Sequence, residues 1–194
     1  GNMGMVLPEK SYLSQVAEIV RRHGALLIFD EIISGFRVSS GGAQKRFDVV
    51  PDLTALGKII GGGMPVGAFG GRREIMELLS PSGSVYQAGT LSGNPVTMAA
   101  GVATLGELAK PRFYEELEEK AQRFFNGLRE VAQEALGDSW VNTAGSMGTL
   151  FFNKGPVRDY ASATRSDTKR FAKFHRGMLK RGIYLPPAQL ERVF

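Results

Sequence analysis

Three short segments of the chain carry residue types that could do chemistry. Asp30 ends one apolar run, Lys58 follows a second, and Gly89–Pro95 combines glycines with hydroxyl groups. An ionised carboxylate is costly to bury unless it is paired. Asp30 therefore either faces a cleft with a cationic ligand or has a structural role, in which it caps the next turn or pairs with Arg37. The residue alone leaves both possibilities open.

Lys58 lies among the apolar residues Leu56, Ile59 and Ile60. Its stem could simply cover apolar surface while the amine stays in water. Alternatively, desolvation would favour the neutral amine, which is a nucleophile. The glycine run that follows, Gly61–Gly63, is either a flexible turn or a place where the backbone must pass close to a flat ligand.

The segment Gly89–Pro95 is more specific, because glycines, hydroxyl groups and a helix start together form a cradle of N–H and O–H donors for phosphate. The alternative, an ordinary capped helix, needs Asn94 but has no use for Gly89 and Thr90. Pyridoxal phosphate chemistry requires a lysine that can bind an aldehyde, a carboxylate for the pyridine nitrogen and a phosphate loop. The three segments together therefore predict a site for pyridoxal 5'-phosphate.

Two of these segments resemble known motifs. Residues 27–37, LIFDEIISGFR, resemble the aspartate motif of class III aminotransferases, which have the type I pyridoxal phosphate fold. Residues 56–67, LGKIIGGGMPVG, resemble the lysine motif of the same family. The order of the two motifs and the spacing between them also agree with that family. The resemblance covers nearly the whole chain. It implies that Lys58 carries the cofactor and that Asp30 holds its ring nitrogen.

Within that family the details resemble the aminomutases rather than the transaminases. Many class III transaminases have a glutamine three residues after the aspartate, whereas this chain has Ile33, as the aminomutases have an apolar residue there. The segment Pro187–Glu191 is similar to the aminomutase segment whose glutamate lies at the active site, which nominates Glu191 as a catalytic residue. The resemblance also implies a set of cofactor-binding residues beside Lys58 and Asp30, namely Gly89, Thr90, Asn2 and Ile33.

The resemblance further implies a reaction and an assembly. An amino group would move within glutamate 1-semialdehyde to give 5-aminolevulinate, a tetrapyrrole precursor, with the cofactor passing through its pyridoxamine 5'-phosphate form. The enzyme would be a homodimer in which the loop containing Thr90 serves the other subunit. Two rival interpretations stay open. One is a class III transaminase with a separate amino donor, and the other is a noncatalytic interaction domain that retains the fold.

The elements that must position these residues follow an α/β pattern. A helix capped by Ser11 precedes the apolar run Ala25–Phe29, which predicts a buried parallel strand with an acid at its carboxyl end. A second strand, Asp52–Leu56, leads to the lysine, and a long helix begins at Asn94–Pro95. We predict a mainly parallel sheet with flanking helices, which is part of the type I large domain.

The residue pattern changes near Pro111, after which an acidic, amphipathic stretch begins. Pro111 therefore predicts a domain boundary. We expect residues 1–108 to be the C-terminal part of the large domain and residues 109–194 to be a small α+β domain. The pattern of this second domain predicts a long amphipathic helix from residue 115, strands at 140–143, 149–152 and 183–185, and a helix at 167–181 capped by Ser166. We also expect the chain to begin partway through a larger enzyme and to be inactive alone.

Composition argues against several other classes of function. The chain has 194 residues, a net charge of +5 and no cysteine, which excludes disulfides and thiolate chemistry. Basic residues between Lys169 and Arg181 lie on an amphipathic helix, where a solvated helix face is favoured over a nucleic-acid site. No apolar run is long enough for a membrane span, and no histidine and carboxylate have metal-ligand spacing. We therefore expect a cytoplasmic enzyme without a metal, membrane or nucleic-acid partner.

Overall fold

The computed structural model describes residues 3–194 and divides them into two compact units. The first unit is Glu9–Tyr114, and the second combines Glu115–Phe194 with the segment that ends at Pro8. The proposed assignment of residues 1–108 and 109–194 to two domains of a larger enzyme stays a prediction. No helix within residues 3–194 is long and apolar enough to cross a membrane.

The first unit contains a three-stranded mixed sheet with helices around it. Its elements are α1 (Tyr12–Arg22), β1 (Ile28–Asp30), α2 (Gly42–Phe47), β2 (Leu53–Gly57), a 3-10 turn (Lys58–Gly61), β3 (Gly67–Gly71), α3 (Arg73–Met76) and α4 (Pro95–Leu108). Strand β1 pairs with β2 in parallel, and β3 lies on the other side of β2 in the antiparallel direction. The α/β prediction is confirmed, and the antiparallel β3 was not predicted.

Strand β1 begins later than its apolar run does, and it is less buried than predicted. Of its residues only Phe29 is buried, in a small core with Ala17 and Val49. Ile28 is 60% exposed and Leu26 52% exposed, so the prediction of a fully buried strand is wrong for the described residues. A continuous apolar run predicts a strand with residues packed against both of its faces. Within residues 3–194, only the face that carries Phe29 is packed in this way.

Helix α1 starts at the predicted place but without the predicted cap. Ser11 occupies the N-cap position, yet its side chain accepts no hydrogen bond from the first turn of the backbone. Its hydroxyl instead accepts a hydrogen bond from Gln15 Nε2 at 2.9 Å. The helix ends at the predicted stop, where Gly24 takes the left-handed conformation with φ +63°.

Helix α4 begins as predicted, and its middle is locked against the turn that follows β2. Asn94 Oδ1 accepts hydrogen bonds from the backbone N–H groups of Val96 and Thr97, at 3.0 and 3.2 Å. A Cβ atom at Gly101 would lie 2.4 Å from the carbonyl oxygen of Ile60. Conversely, a Cβ at Gly62 would lie 2.5 Å from the carbonyl oxygen of Ala100. We call this reciprocal contact the glycine notch.

The second unit is built around a two-stranded antiparallel hairpin. Its elements are α5 (Phe113–Leu136), β4 (Trp140–Ala144), β5 (Met147–Phe151), α6 (Tyr160–Ala163) and α7 (Thr168–Leu179). The predicted long helix and the two predicted hairpin strands are confirmed within a few residues. Phe151, which is fully buried, packs with Val157 and Ala163 in the core.

Two predictions for the second unit are wrong. The cap of α7 is Asp167 rather than Ser166, and its carboxylate accepts from two backbone N–H groups of the first turn. The Ser166 hydroxyl accepts from Asn153 Nδ2 at 3.1 Å instead. No strand forms at residues 183–185, because the edge of β5 at Gly148 pairs with Val193 further along the chain.

The basic face of α7 is largely solvated, as predicted, except at Arg170. Lys169, Lys173 and Arg176 are exposed. The half-buried Arg170 guanidinium donates to the carbonyl oxygens of Leu136 and Asp138 at the end of α5, where it satisfies groups that the helix leaves unpaired. This contact gives one member of the basic cluster a structural role.

The glycine notch predicts that a larger residue on α4 destabilises the protein at Gly101 but not at Gly106. Gly101→Ala places a methyl group against a backbone oxygen, and we expect it to lower the free energy of unfolding by about 1–3 kcal/mol. Gly106→Ala is the matched control on the same helix, since nothing lies within 4 Å of its Cβ position. The control should be neutral or raise stability by up to about 1 kcal/mol, because alanine has the higher helix propensity. Chemical denaturation of both variants measures the difference, and equal midpoints would contradict the notch.

Candidate active site

Asp30 and Lys58 lie at neighbouring strand ends on the same edge of the sheet. Asp30 is the last residue of β1 and pairs in register with Ala55 of β2. Strand β2 continues to Gly57, and Lys58 follows directly. The two strands are parallel, so their carboxyl ends share an edge, which is where ligands bind in open α/β sheets. Both side chains are exposed in the described chain.

The Asp30 carboxylate uses one oxygen for local structure and leaves the other available. Oδ1 accepts a hydrogen bond from the backbone N–H of Ile32 at 3.0 Å, so the carboxylate does cap the next turn. Oδ2 makes no hydrogen bond or ion pair with any residue in 3–194. A structural role and a ligand-binding role for Asp30 therefore do not exclude each other, because a single oxygen caps the turn.

Lys58 stands in an unusual backbone conformation with a free amine. Its φ of +49° lies in the left-handed region, which costs a residue with a side chain about 1–2 kcal/mol relative to the right-handed one. Its amine has no hydrogen bond or ion pair with another described residue. Gly57 before it is extended, and a Cβ there would lie 3.3 Å from Ile32 Cγ2. The turn thus directs the lysine out of the strand.

Glu31, which the sequence analysis did not single out, is the most buried charged residue at this edge. It is 1% exposed. Its carboxylate accepts hydrogen bonds from the backbone N–H groups of Ala43 and Gln44, both at 2.9 Å, and from the hydroxyl of Ser34. The sequence signal that could have found it is the pair of adjacent acids after an apolar run, since successive strand residues point to opposite faces.

The loop before α4 presents free donors at the predicted phosphate site. Its backbone is held by two turns, in which Ser92 N donates to Gly89 O at 2.9 Å and Asn94 N donates to Leu91 O at 3.1 Å. Thr90 is exposed, and neither its hydroxyl nor its N–H is paired within the described chain. The helix cap at Asn94 and a phosphate site at Thr90 are therefore compatible.

The glycine run after Lys58 is required in part by the protein's own packing. A Cβ at Gly61 would lie 2.6 Å from Val66 Cγ1, and Gly62 forms part of the glycine notch. Gly63 has open space around it and φ +92°. A purely flexible turn therefore does not account for the first two positions, and clearance for a flat ligand stays a prediction.

The remaining predicted site residues are placed as follows. Ile33 is half-buried in the turn after β1, and Asn2 lies outside the described residues. Glu191 belongs to the second unit, where its side chain is exposed and its carbonyl accepts from Thr149 Oγ1 at 3.0 Å. The structure does not test the role of any of them, so these assignments stay predictions.

The larger cavities of the first unit do not coincide with the two strand ends. One of about 720 Å³ is lined by the phosphate-loop residues Gly89 and Ser92 together with Phe36 and Thr97, and a second of about 490 Å³ lies beside Glu31. Neither is lined by Asp30 or Lys58. The two strand ends define the candidate site, because they carry the reactive groups. No group of three metal-binding side chains occurs within residues 3–194.

Comparison with known proteins defines the class. The family model described as aminotransferase class III matches residues 1–189. The chain therefore belongs to the class III aminotransferase family. It is also similar in structure to an omega-transaminase from Sphaerobacter thermophilus, with a TM-score of 0.89 and 38% identity over 96% of this chain and 43% of that one.

The particular relatives narrow the class further. The protein named glutamate-1-semialdehyde 2,1-aminomutase from Desulforudis audaxviator is 54% identical over 193 residues, which is 100% of this chain and 45% of the relative. A solved glutamate-1-semialdehyde aminomutase from Pseudomonas aeruginosa, in complex with PMP, has a TM-score of 0.85 and 25% identity, and the match covers 100% of this chain and 45% of that one. The chain thus spans about half the length of the relatives it matches. These similarities confirm the predicted family and type I fold class.

One electrostatic clasp holds β1 in place beside the site. Asp52, at the start of β2, accepts from the backbone N–H of Leu27 at 2.8 Å and from Arg72 Nη1 at 2.7 Å. The hydrogen bonds from Arg72 and then from Leu27 lower the pKa of the Asp52 carboxyl below its ordinary value of 3.8. The carboxylate ties together the segments that lead into β1 and out of β3.

This clasp predicts a pH-dependent contribution to stability. Because the folded-state pKa of Asp52 is depressed, its contribution is complete above about pH 3.8 and is lost as the pH falls through the lower folded value. Asp52→Asn should therefore reduce the unfolding midpoint at pH 7 and narrow its gap to the parent protein as the pH falls below 3.8. Urea denaturation between neutral and acid pH measures this gap, and a gap that stays constant across the range would contradict the clasp.

Proposed function

We propose that this chain provides the lysine and the aspartate of a pyridoxal-phosphate-dependent glutamate-1-semialdehyde 2,1-aminomutase. The observation that carries the proposal is the pair of free groups at one sheet edge, namely Oδ2 of Asp30 and the amine of Lys58. The names of relatives at 50–56% identity support the aminomutase reaction in particular. The relatives carry that name for their full length, of which this chain spans about half.

The described residues fit pyridoxal phosphate at three points. Lys58 would hold the cofactor at its aldehyde carbon through Nζ. Asp30 Oδ2, free of other partners among the described residues, would accept a hydrogen bond from the protonated ring nitrogen and so keep that nitrogen cationic. The hydroxyl and N–H of Thr90, with the backbone of Gly89, would donate to the phosphate of a cofactor held by the partner subunit in the dimer proposed below. When bound, the cofactor supplies a carbonyl that exchanges amino groups and a ring that accepts electrons.

Lys58 has a second task in this proposal, which is proton transfer. Once its amine is released from the cofactor, Nζ can take a proton from the substrate carbon that bears the amino group and return it elsewhere. Glu191 and Ile33 would act around this centre, Ile33 as an apolar neighbour in place of the transaminase glutamine and Glu191 by retaining the reacting molecule. Asn2 would contribute to cofactor binding.

We further propose a homodimer located in the cytoplasm. The exposed, unpaired donors of Thr90 support an assembly in which this loop serves the partner subunit rather than its own. The substrate would be glutamate 1-semialdehyde and the product 5-aminolevulinate. A class III transaminase is the second candidate, and the structural similarity to the omega-transaminase favours it. We prefer the aminomutase because the aminomutase relatives are more similar in sequence, at 54% against 38% identity.

Cofactor attachment gives the first test of this function. The full-length protein is mixed with pyridoxal 5'-phosphate, reduced with sodium borohydride and digested. We expect mass spectrometry to find the cofactor on Lys58, because its amine is free at the site edge. Lys45 is a control within the same chain, since its exposed amine already donates to Ser40 Oγ at 3.2 Å. Label distributed over surface lysines, with none concentrated on Lys58, would contradict the proposal.

Substrate requirement separates the aminomutase from the transaminase. We expect the protein with its cofactor to convert glutamate 1-semialdehyde to 5-aminolevulinate without an added amino donor, and Asp30→Asn to lower kcat by about 100-fold or more through loss of the ring-nitrogen contact. Product is measured by a colorimetric assay for 5-aminolevulinate. Turnover that begins only when a second amine is supplied would instead establish the transaminase.

A further inference from the structure

Glu31 is a buried acid beside the candidate site for which the proposed reaction has no use. It is 1% exposed, and such burial is unfavourable for a glutamate unless its carboxylate is well hydrogen-bonded. Three donors meet this requirement: the N–H groups of Ala43 and Gln44 and the Ser34 hydroxyl. The carboxylate therefore connects the end of β1 to the start of α2.

The backbone of Glu31 is held as firmly as its side chain. Its N–H donates to the carbonyl oxygen of Ala55 on β2 at 2.9 Å, and its own carbonyl accepts from the N–H of Gly35 at 2.8 Å. The surrounding glycines fit closely around it. A Cβ at Gly42 would lie 2.6 Å from both carboxylate oxygens, and one at Gly35 would lie 2.7 Å from the Glu31 carbonyl oxygen.

Asp30, by contrast, has little to hold it. Its side chain is exposed, and its one hydrogen bond among the described residues is the local bond from Ile32 N. The direction of its free oxygen therefore depends on the backbone at residues 30 and 31. Glu31 fixes that backbone from the opposite face of the strand, because neighbouring side chains in a strand point to opposite faces.

We propose that Glu31 is a positioning residue that aims Asp30 at the ring nitrogen of the cofactor. The inference rests on the proposed function, since it assumes a pyridine nitrogen opposite Asp30. Glu31 itself touches neither cofactor nor substrate in this proposal. Its carboxylate is required as an acceptor of several N–H and O–H donors at once, which a neutral amide cannot reproduce, because its NH₂ group would face another donor.

The test compares two ligands that differ at one atom. Pyridoxal 5'-phosphate and its 1-deaza analogue, in which carbon replaces the ring nitrogen, are titrated into the cofactor-free parent protein, Glu31→Gln, Asp30→Asn and the control Glu18→Gln. Glu18 is an exposed glutamate of the same unit, ion-paired with Arg22 on the helix surface. We expect Glu31→Gln to raise Kd for pyridoxal 5'-phosphate about tenfold or more, and Kd for the analogue less than about threefold. Asp30→Asn should show the same selectivity, and the control should change neither value.

An equal rise in both Kd values for Glu31→Gln would overturn the inference, because a merely structural role would weaken the two ligands alike. Unchanged Kd values would overturn it as well. Failure of the parent protein to bind pyridoxal 5'-phosphate or to form the borohydride label at Lys58 would instead overturn the proposed function, and the inference with it. If Glu31→Gln does not fold by circular dichroism, Ser34→Ala provides a second route, because it removes the hydroxyl that donates to the Glu31 carboxylate. It should give the same selective loss, and an unselective loss there would also overturn the inference.

Discussion

The parallel pairing of β1 with β2 is the constraint on which the candidate site depends. The register that sets Asp30 opposite Ala55 determines how far the lysine lies beyond the aspartate along the shared edge. A register shift of one residue would turn the Asp30 side chain to the other face of the sheet. The Asp52 clasp, the Glu31 hydrogen bonds and the glycine notch all act on segments that adjoin this pair, so most of the local structure serves to hold it.

Residue type and order are enough to predict that Asp30 and Lys58 lie at adjacent strand ends, and to predict several of the elements. An acid and a lysine after apolar runs predicted two adjacent strand ends, and Asn94–Pro95 predicted the start of α4, because both signals act within a few residues of the chain. The burial of Glu31 could not be predicted this way. Two of its three hydrogen-bond donors, the N–H groups of Ala43 and Gln44, lie 12 and 13 residues away in sequence, and their positions depend on how the chain folds back.

The errors in the sequence analysis share a physical cause. Ser11 and Ser166 were expected to cap helices from local preference alone, but their hydroxyls are used by Gln15 and Asn153. Likewise, apolar composition predicted a buried β1, while the described residues cover one face of it. Which group hydrogen-bonds to a serine hydroxyl, and which residues pack against a strand face, are properties of the folded chain. Local sequence patterns therefore do not determine them.

The glycine notch also limits how this protein can change. A Cβ at Gly101 would meet the main-chain oxygen of Ile60, and a Cβ at Gly62 would meet both the main-chain oxygen of Ala100 and the Thr104 hydroxyl oxygen. Every amino acid carries the same carbonyl group, so replacing Ala100 or Ile60 cannot make room for a larger residue. Substitution of Ala100 or Ile60 therefore cannot suppress a change at the notch, and libraries designed to alter this protein should leave both glycines fixed.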